Sequence, residues 1–192
     1  MSDMILKPQS PLASYHREFD GVTLCEVSGL ALVSVAVPLG GRQELTNAIE
    51  LAHGIPLPDV GSSNYSEAGN VNVLGMQPDQ LLLAFEYDGD DAVAAVRNRL
   101  GNTGYYSDQS DSWAMLRIMG TGCHRALERI CMLDIDPGAF PVGAVARTTM
   151  EHLGVIILCE GADSFLLLSP RSSAGSFLHA VETSLINTAL HR

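Results

Sequence analysis

A chain of 192 residues, 46% of them hydrophobic and 17% charged, is long enough to bury a large core without cross-links. Its 11 basic and 22 acidic residues give a formal net charge of −11, which argues against nucleic acid as a partner because phosphate binding needs a positive surface. No run approaches the ~20 apolar residues of a membrane span, and the N-terminus lacks a signal pattern, so we predict a cytoplasmic protein without membrane contact.

The first half of the chain predicts strands, a glycine turn and two helices. Residues 1–19 read as an extended arm, since Pro8 and Pro11 oppose regular structure. Two β-rich runs at 22–26 and 30–37 are joined by Ser28-Gly29, which predicts a hairpin. We then expect a helix, a long loop, two strands and a helix that Asp90 and Asp91 cap: residues 42–53, 55–69, 70–76, 80–87 and 92–100.

The second half repeats this order. Residues 113–119 predict a strand that turns sharply through Gly120-Thr121-Gly122 into a helix at 123–131. Strands at 146–151, 154–158 and 164–169 and a final helix after Pro170 follow. The final helix has an apolar face that should pack on the sheet: Phe177, Val181, Leu185 and Ile186.

The two halves keep a common register. Gly40 and Gly122 lie 82 positions apart, and so do Gly61 and Gly143. The segments DQLLL at 79–83 and DSFLL at 163–167 match at a spacing of 84. We infer an internal duplication and an α+β fold of two ββαββα halves, residues 20–103 and 104–192, in one compact unit. Each half should place its helices on one face of an antiparallel sheet.

The cysteines and histidines show no metal-binding spacing. The four cysteines lack a C-x-x-C pair and lie in apolar surroundings, which predicts buried free thiols: Cys25, Cys123, Cys131 and Cys159. None of the six histidines lies in an H-E-x-x-H motif, and Glu151 and His152 would point to opposite faces of a strand. The glycine turn at 120–122 lacks the further residues of a nucleotide loop. We therefore predict no metal site and no catalytic residue.

A polar segment before the strand at 113–119 holds the candidate ligand-binding residues. Asp108 and Asp111, three apart, could act as acid and base, but Asp and Ser before a strand more often form side-chain turns. Tyr105 and Tyr106 are adjacent on a strand, so at most one of them could stack on a planar ligand.

Arginines in the second half are candidate partner contacts: Arg125, Arg147 and Arg171. A guanidinium grips a carboxylate of the same chain or of a partner. The composition is apolar for a soluble protein, which suggests that a partner covers part of the surface.

Several motifs together are similar to those of one family. They are S-P-L, P-D-Q-L-L-L, S-D-x-S-D, G-x-x-R-x-L-x-x-x-C-x-L-D, F-P-x-G-x-x-A-R-T and R-S-x-A-x-S-F-L-H, at 10–12, 78–83, 107–111, 122–134, 140–148 and 171–179. In this order they resemble the γ subunit of heterotetrameric sarcosine oxidase. The chain departs from the pattern at Leu81, where a tryptophan is expected, and at Gln77, where a glycine is usual.

The resemblance implies a subunit of an oxidase that demethylates sarcosine to glycine. In that family FAD, FMN and NAD are held by larger subunits, the methyl group passes to tetrahydrofolate or leaves as formaldehyde, and oxygen becomes hydrogen peroxide. It implies α, β and δ subunits as partners, and no cofactor or catalytic residue in this chain. The fold is expected to resemble the folate-binding domain of aminomethyltransferase, which agrees with the inferred duplication.

An alternative is a stand-alone folate-binding or one-carbon-transfer protein. A pterin needs a carboxylate for its pyrimidine ring and an aromatic wall for stacking. Tyr105, Asp108 and Asp111 would serve in that case, and calorimetry with tetrahydrofolate would separate the two hypotheses.

Overall fold

The structure, a computed structural model, describes residues 9–190. Its strands are β1 to β11: His16–Phe19, Val22–Glu26, Leu30–Ala36, Ser63–Ser66, Val71–Gln77, Gln80–Glu86, Tyr105–Asp108, Trp113–Met119, Val145–Met150, Leu153–Gly161 and Ser164–Pro170. Its helices are α1 to α4: Arg42–His53, Ala92–Leu100, Cys123–Leu127 and Ala174–Ala189. Among the described residues no helix is long and apolar enough to cross a membrane.

The strands form two antiparallel sheets that pack face to face. One has the order β1-β2-β8-β11-β10-β9 and the other the order β4-β5-β6-β3-β7. A core of aliphatic side chains fills the space between them, including Leu32, Leu82, Ile156 and Leu166. A second core lies between the six-stranded sheet and α3 and α4, and a third between the five-stranded sheet and α1 and α2. The predicted α+β class, with helices on one face of each sheet, is confirmed.

The same topology occurs twice. Strands β4-β5-β6-β3 of one sheet correspond in order to β9-β10-β11-β8 of the other. Even the irregularities agree, because the register of β5 shifts between Gly75 and Gln77 and that of β10 between Cys159 and Gly161. Each bulge lies 84 positions from its counterpart, the spacing that separates the two DxxLL segments. This repeated topology supports a duplication of the chain.

The halves exchange their first strands. β2 precedes β3 in the chain but pairs with β8, and β7 precedes β8 but pairs with β3. The predicted hairpin at Ser28-Gly29 is therefore wrong, because β2 and β3 belong to different sheets. Sheet membership also crosses the predicted boundary at 103 and 104, since β7 completes the sheet of the first half. Each repeat is a ββαβββα unit whose leading strand joins the other sheet.

A short bridge joins the sheets at the centre of this pseudosymmetry. Ser62 and Ala144, which are 82 positions apart, form an isolated antiparallel pair. The Ser63 N–H donates to the Gly143 carbonyl at 2.7 Å. Reciprocally, the Val145 N–H donates to the Gly61 carbonyl at 3.0 Å. Both glycines have positive φ angles, +84° and +87°, which explains why the duplicated sequence keeps glycine there.

Three predicted elements differ from the structure. The helix expected at 123–131 ends at Leu127, because the chain turns so that Cys131 can pair with Met150. The loop expected at 55–69 contains the edge strand β4, which was not predicted because its sequence is polar. On α4 three of the four predicted core residues are buried, but Ile186 is exposed. The helices α1 and α2 have the predicted bounds, and the Ala94 N–H donates to the Asp91 cap at 2.8 Å.

The N-terminal arm is held by one carboxylate. Glu26 on β2 accepts hydrogen bonds from the N–H groups of Leu12 at 3.0 Å and Ser14 at 2.7 Å, and from the hydroxyl of Ser10. The last four residues of the predicted extended arm form β1, which pairs with β2. Its first eight residues lie outside the described part of the chain.

A buried histidine lies at the end of α1, and its burial predicts that the folded protein is less stable at acidic pH. His53 is 4% exposed, and its Nδ1 has no hydrogen-bond partner among the described residues. Burial, assisted by the charge of Arg99, lowers the pKa of His53 below its usual 6.5. The neutral ring is therefore favoured in the folded state. The unfolded chain takes up a proton at His53 more readily than the folded chain does. The stability associated with the neutral His53 ring is therefore complete above pH 6.5 and is lost as the pH falls through the lowered pKa.

We expect His53→Gln to make the free energy of unfolding less dependent on pH below 6.5. Urea unfolding at pH 7.5, 6.0 and 5.0 measures this slope. The exposed His179 on α4 provides a matched control, and His179→Gln should keep the wild-type slope. An unchanged slope in His53→Gln would contradict the assignment.

Candidate functional site

A cleft of about 560 Å³ opens between the two sheets beside the bridge. Side chains from both sheets line it, with Tyr65, Asn72 and Glu86 from the five-stranded sheet and Arg117 and Glu160 from the six-stranded one. Its floor is the aliphatic core between the sheets, to which Leu158 and Leu166 belong. A concave site with an apolar floor and a few polar groups is the usual form of a ligand or side-chain pocket.

An ion pair forms one wall of the cleft. The guanidinium of Arg117 donates to both carboxylate oxygens of Glu160, from Nε at 2.6 Å and from Nη2 at 2.8 Å. The hydrogen bond to Glu160 raises the pKa of Arg117 above its already high value, against the opposing effect of burial. The side chains are 31% and 24% exposed. Two parallel bonds in a half-buried position fix both groups in one orientation.

The local fold explains why these charges lie in the inter-sheet layer. Arg117 is directly opposite Leu166 on β11, and Leu166 is opposite Leu158 on β10, so the three side chains share one face. Glu160 is the residue at the β10 bulge. A bulge re-aims the side chain that it carries, which here brings the carboxylate to the guanidinium.

The opposite wall carries amide and hydroxyl groups. The Tyr65 hydroxyl donates to Asn70 Oδ1 at 2.8 Å, and Asn70 Nδ2 donates to Glu86 at 3.1 Å. The Oδ1 atom of Asn72 is buried and has no donor among the described residues. A buried acceptor without a donor costs about 1–3 kcal/mol. This wall would therefore favour an occupant that supplies an N–H or O–H group.

Two of the groups that line the cleft, a thiol and a carboxylate, are not free to act as nucleophiles. Its thiol, Cys159, donates to the Gly161 carbonyl at 3.4 Å, and burial raises its pKa. A protonated thiol is a poor nucleophile. The carboxylate of Glu160 is already engaged by Arg117.

The structure places two of the predicted ligand-binding residues in a second cleft, of about 730 Å³, and leaves the third outside it. Asp108 and Asp111 line this cleft together with Arg171. Asp108 accepts the N–H of Ser110 at 2.8 Å, which is the predicted side-chain turn. Tyr105 is exposed on the edge strand β7, while Tyr106 packs into the core, so the two rings lie on opposite faces as expected.

The three predicted partner-contact arginines do not form one patch. Arg125 is exposed on α3, in the helical layer. Arg147 lies on the other face of the same sheet, with its guanidinium 5.9 Å from the ring centroid of Trp113. The Nη1 atom of Arg171 lies 3.5 Å from Oδ1 of Asp111, and the Asp111 side chain is almost fully exposed. Exposed ion pairs of this kind contribute little to the free energy of unfolding. Their role in partner binding stays a prediction.

Sequence reasoning missed the residues of the first cleft. Arg117 is the one charged residue of the apolar strand WAMLRIM, and a charge at an inward position of such a strand is a signal of a partner or a site. Asn72, a polar residue in the mainly apolar strand VNVLGMQ, is a weaker indication of a site.

Known proteins similar to this chain include three sarcosine oxidase gamma subunits. The one from Corynebacterium sp. strain P-1 is 32% identical over 156 residues, which are 79% of this chain and 73% of the relative. The one from Arthrobacter sp. is 29% identical over 77% of this chain and 71% of the relative. The one from Corynebacterium sp. strain U-96 is 27% identical over 66% of this chain, and the match spans 61% of that relative's length. No protein-family model matches the chain.

Two solved structures show the same fold. A chain of the heterotetrameric sarcosine oxidase from Corynebacterium sp. U-96, in complex with pyrrole 2-carboxylate, superposes with a TM-score of 0.79 at 24% identity, covering 95% of this chain and 96% of that one. The glycine cleavage system aminomethyltransferase T from Bartonella henselae gives a TM-score of 0.64 at 15% identity, covering 84% of this chain and 45% of that one. With a relative at 32% identity over most of both lengths, the chain belongs to the family of sarcosine oxidase gamma subunits.

Proposed function

We propose that this chain is the non-catalytic gamma subunit of a heterotetrameric sarcosine oxidase, and that it docks on and stabilises the larger subunits. The family assignment carries the proposal. The cleft between the sheets supports it, because the Cys159 thiol and the Glu160 carboxylate are both engaged by other groups of the chain. We assign the oxidative demethylation of sarcosine, and the FAD, FMN, NAD and tetrahydrofolate it uses, to the rest of the complex, with the flavins and NAD held by the larger subunits and the α, β and δ subunits as partners of this chain.

The surface around the bridge is the docking face that we favour. Val60 and Val142 are 82 positions apart, precede the two bridge glycines and are 53% and 62% exposed. Val142 also lines the cleft, next to the ion pair. Exposed apolar side chains that flank a pocket are the usual core of a protein interface. The pseudosymmetry therefore presents two valines and one polar cleft to a single partner.

Co-expression tests the proposal. A tagged chain, produced together with the other three subunits, should purify as a flavin-coloured complex. Elution of the tagged chain alone, without flavin, would refute the subunit role.

The docking face predicts a specific loss of assembly. We expect Val142→Asp to lower the affinity for the other subunits about tenfold, because a charge in an interface core must be desolvated. Leu51→Asp is the matched control, since Leu51 is 90% exposed on the outer side of α1. Equal losses in both variants, or none in Val142→Asp, would place the interface elsewhere.

A further inference from the structure

A thiol, an imidazole and a carboxylate converge at the turn between β8 and α3. Cys123 and His124 begin α3, and Asp163 lies in the hairpin between β10 and β11. The Cys123 Sγ atom, a ring nitrogen of His124 and a carboxylate oxygen of Asp163 all lie within 4.8 Å of one another. This cluster is outside the inter-sheet cleft, and the proposed subunit role makes no use of it.

The backbone already holds the two segments together. The Gly120 N–H donates to the Asp163 carbonyl at 2.9 Å, and the Cys123 N–H donates to the Gly120 carbonyl at 2.9 Å. The glycine turn and the hairpin therefore present their side chains to each other in a fixed relation. Cys123 is fully buried, His124 is partly buried and Asp163 is exposed, so the cluster is open on one side.

The histidine is oriented by a backbone carbonyl. His124 Nε2 lies 2.7 Å from the Ala162 carbonyl oxygen, and because that oxygen can only accept, Nε2 carries the proton. In the neutral ring this leaves Nδ1 as the nitrogen with a free lone pair. Histidines that bind metals are held in this way, with the other ring nitrogen donating to a carbonyl or carboxylate. The ring edge also packs on Phe165, with centroids 5.0 Å apart.

The first half of the duplicated chain shows what this turn requires for folding alone. There Arg42 Nη1 donates to the Pro78 carbonyl at 2.6 Å, as His124 does to Ala162, and the Val37 N–H donates to the Asp79 carbonyl at 2.8 Å. Asp79 is thus the counterpart of Asp163. Yet no thiol or imidazole accompanies it, because the turn there reads Gly40-Gly41-Arg42. The turn of the first half therefore forms without the thiol and the imidazole that the second half carries.

We propose that Cys123, His124 and Asp163 bind one zinc ion, with Sγ, Nδ1 and a carboxylate oxygen as ligands and the fourth position open. Thiolate, imidazole and carboxylate together suit Zn²⁺. In a tetrahedral zinc site the ligand atoms are about 3.5 Å apart, so atoms that now lie within 4.8 Å of one another need only small side-chain movements to bind one ion. On binding, the Cys123 thiol releases its proton to solvent.

The chemistry argues against a nucleophile at this place. Burial, assisted by the charge of Asp163, raises the pKa of Cys123 to about 11. At neutral pH the metal-free thiol is protonated and unreactive.

Metal titration of the untagged full-length chain tests the site. After removal of metal with a chelator, competition against a chromophoric chelator should show one zinc ion per chain. Cobalt should give a thiolate-to-metal charge-transfer band. We expect Asp163→Asn and His124→Gln each to weaken zinc binding by at least about tenfold. Cys123→Ser should abolish the cobalt band.

The duplication supplies the matched control. Asp79→Asn alters the equivalent hairpin of the first half and should leave zinc affinity and the cobalt band unchanged. Because Cys123 is buried and its variant could misfold, the two variants at exposed or partly buried ligands decide the case. No stoichiometric zinc binding, no cobalt–thiolate band in the wild type, or equal losses in Asp79→Asn and Asp163→Asn would overturn the proposal. None of these readouts depends on assembly with other subunits.

Discussion

Replacing Gly120 with alanine is expected to lower the free energy of unfolding by about 2–6 kcal/mol, from two effects that act together. Gly120 has a φ angle of +121°. A residue with a side chain in this conformation destabilises the folded state by about 1–3 kcal/mol. A Cβ atom there would lie 2.2 Å from the Gly21 carbonyl oxygen. That contact can be relieved only by moving backbone, which costs about another 1–3 kcal/mol.

For a glycine within a helix we expect the opposite effect of alanine on the free energy of unfolding. Gly175 lies in the first turn of α4, and a Cβ added there meets nothing within 4 Å. Gly175→Ala should therefore raise the free energy of unfolding by up to about 1 kcal/mol, through helix propensity. Denaturant unfolding measures both variants. A loss below about 1 kcal/mol in Gly120→Ala would show that the turn before α3 can relax, and our account of the turn would fail.

Elements with a strong local signal could be predicted from the sequence. The bounds of α1 follow from Gly41 and Gly54 on either side of an amphipathic run, and Gly54 adopts the left-handed conformation that ends helices. The strand Trp113–Met119 has the predicted bounds because a polar segment and a glycine turn flank it. These signals lie within a few residues of the element they define.

Strand pairing could not be predicted in the same way. The turn at Ser28-Gly29 has the chemistry of a hairpin, but each flanking strand has a better partner far along the chain. β2 pairs with β8, some 90 residues away, and β3 with β6 and β7. The strand β4 was not predicted for another reason, because its sequence SNYS has no alternation of apolar and polar residues. It is an edge strand, and edge strands need less apolar surface.

The candidate site was only partly accessible to sequence reasoning. The turn role of Asp108 followed from its neighbours and is confirmed by its bond to Ser110. The pairing of Arg117 with Glu160 depends on the registers of β8, β11 and β10 and on a bulge, none of which has a local signature. The predictable part of the site is thus the part made by consecutive residues.

The duplication shows that the ion pair is not required by the fold. In the first half Ser34 is the equivalent of Arg117, because Ser34 pairs with Leu82 as Arg117 pairs with Leu166, and the two leucines are 84 positions apart. Met76, 84 positions before Glu160, is the equivalent of that residue. Met76 is the residue at the bulge of β5, as Glu160 is at that of β10, and it packs into the core between the sheets. The same architecture therefore forms with an apolar residue at the bulge. The bulge itself therefore does not require a charged residue.

Truncating Glu160 to alanine is accordingly expected to destabilise the chain by about 2 kcal/mol, since hydrogen bonds to charged groups contribute about 1.5–3 kcal/mol. Arg117 would be left in the cleft with its side chain only 31% exposed and without a carboxylate. Arg117→Met should cost a similar amount. The double variant should lose clearly less than the sum of the two, because removing both charges leaves neither group unpaired.

The exposed pair of Arg17 and Glu182 is the matched comparison. Its N–O distance is 3.2 Å, but the Arg17 side chain is 54% exposed, and such pairs contribute at most about 1 kcal/mol. Arg17→Met should therefore change the free energy of unfolding less than Arg117→Met does. If the single variants at 117 and 160 were nearly neutral and strictly additive, the pair would not be a fixed wall of the cleft. If the double variant kept its stability but lost the other subunits in co-purification, the ion pair would act in binding rather than in folding.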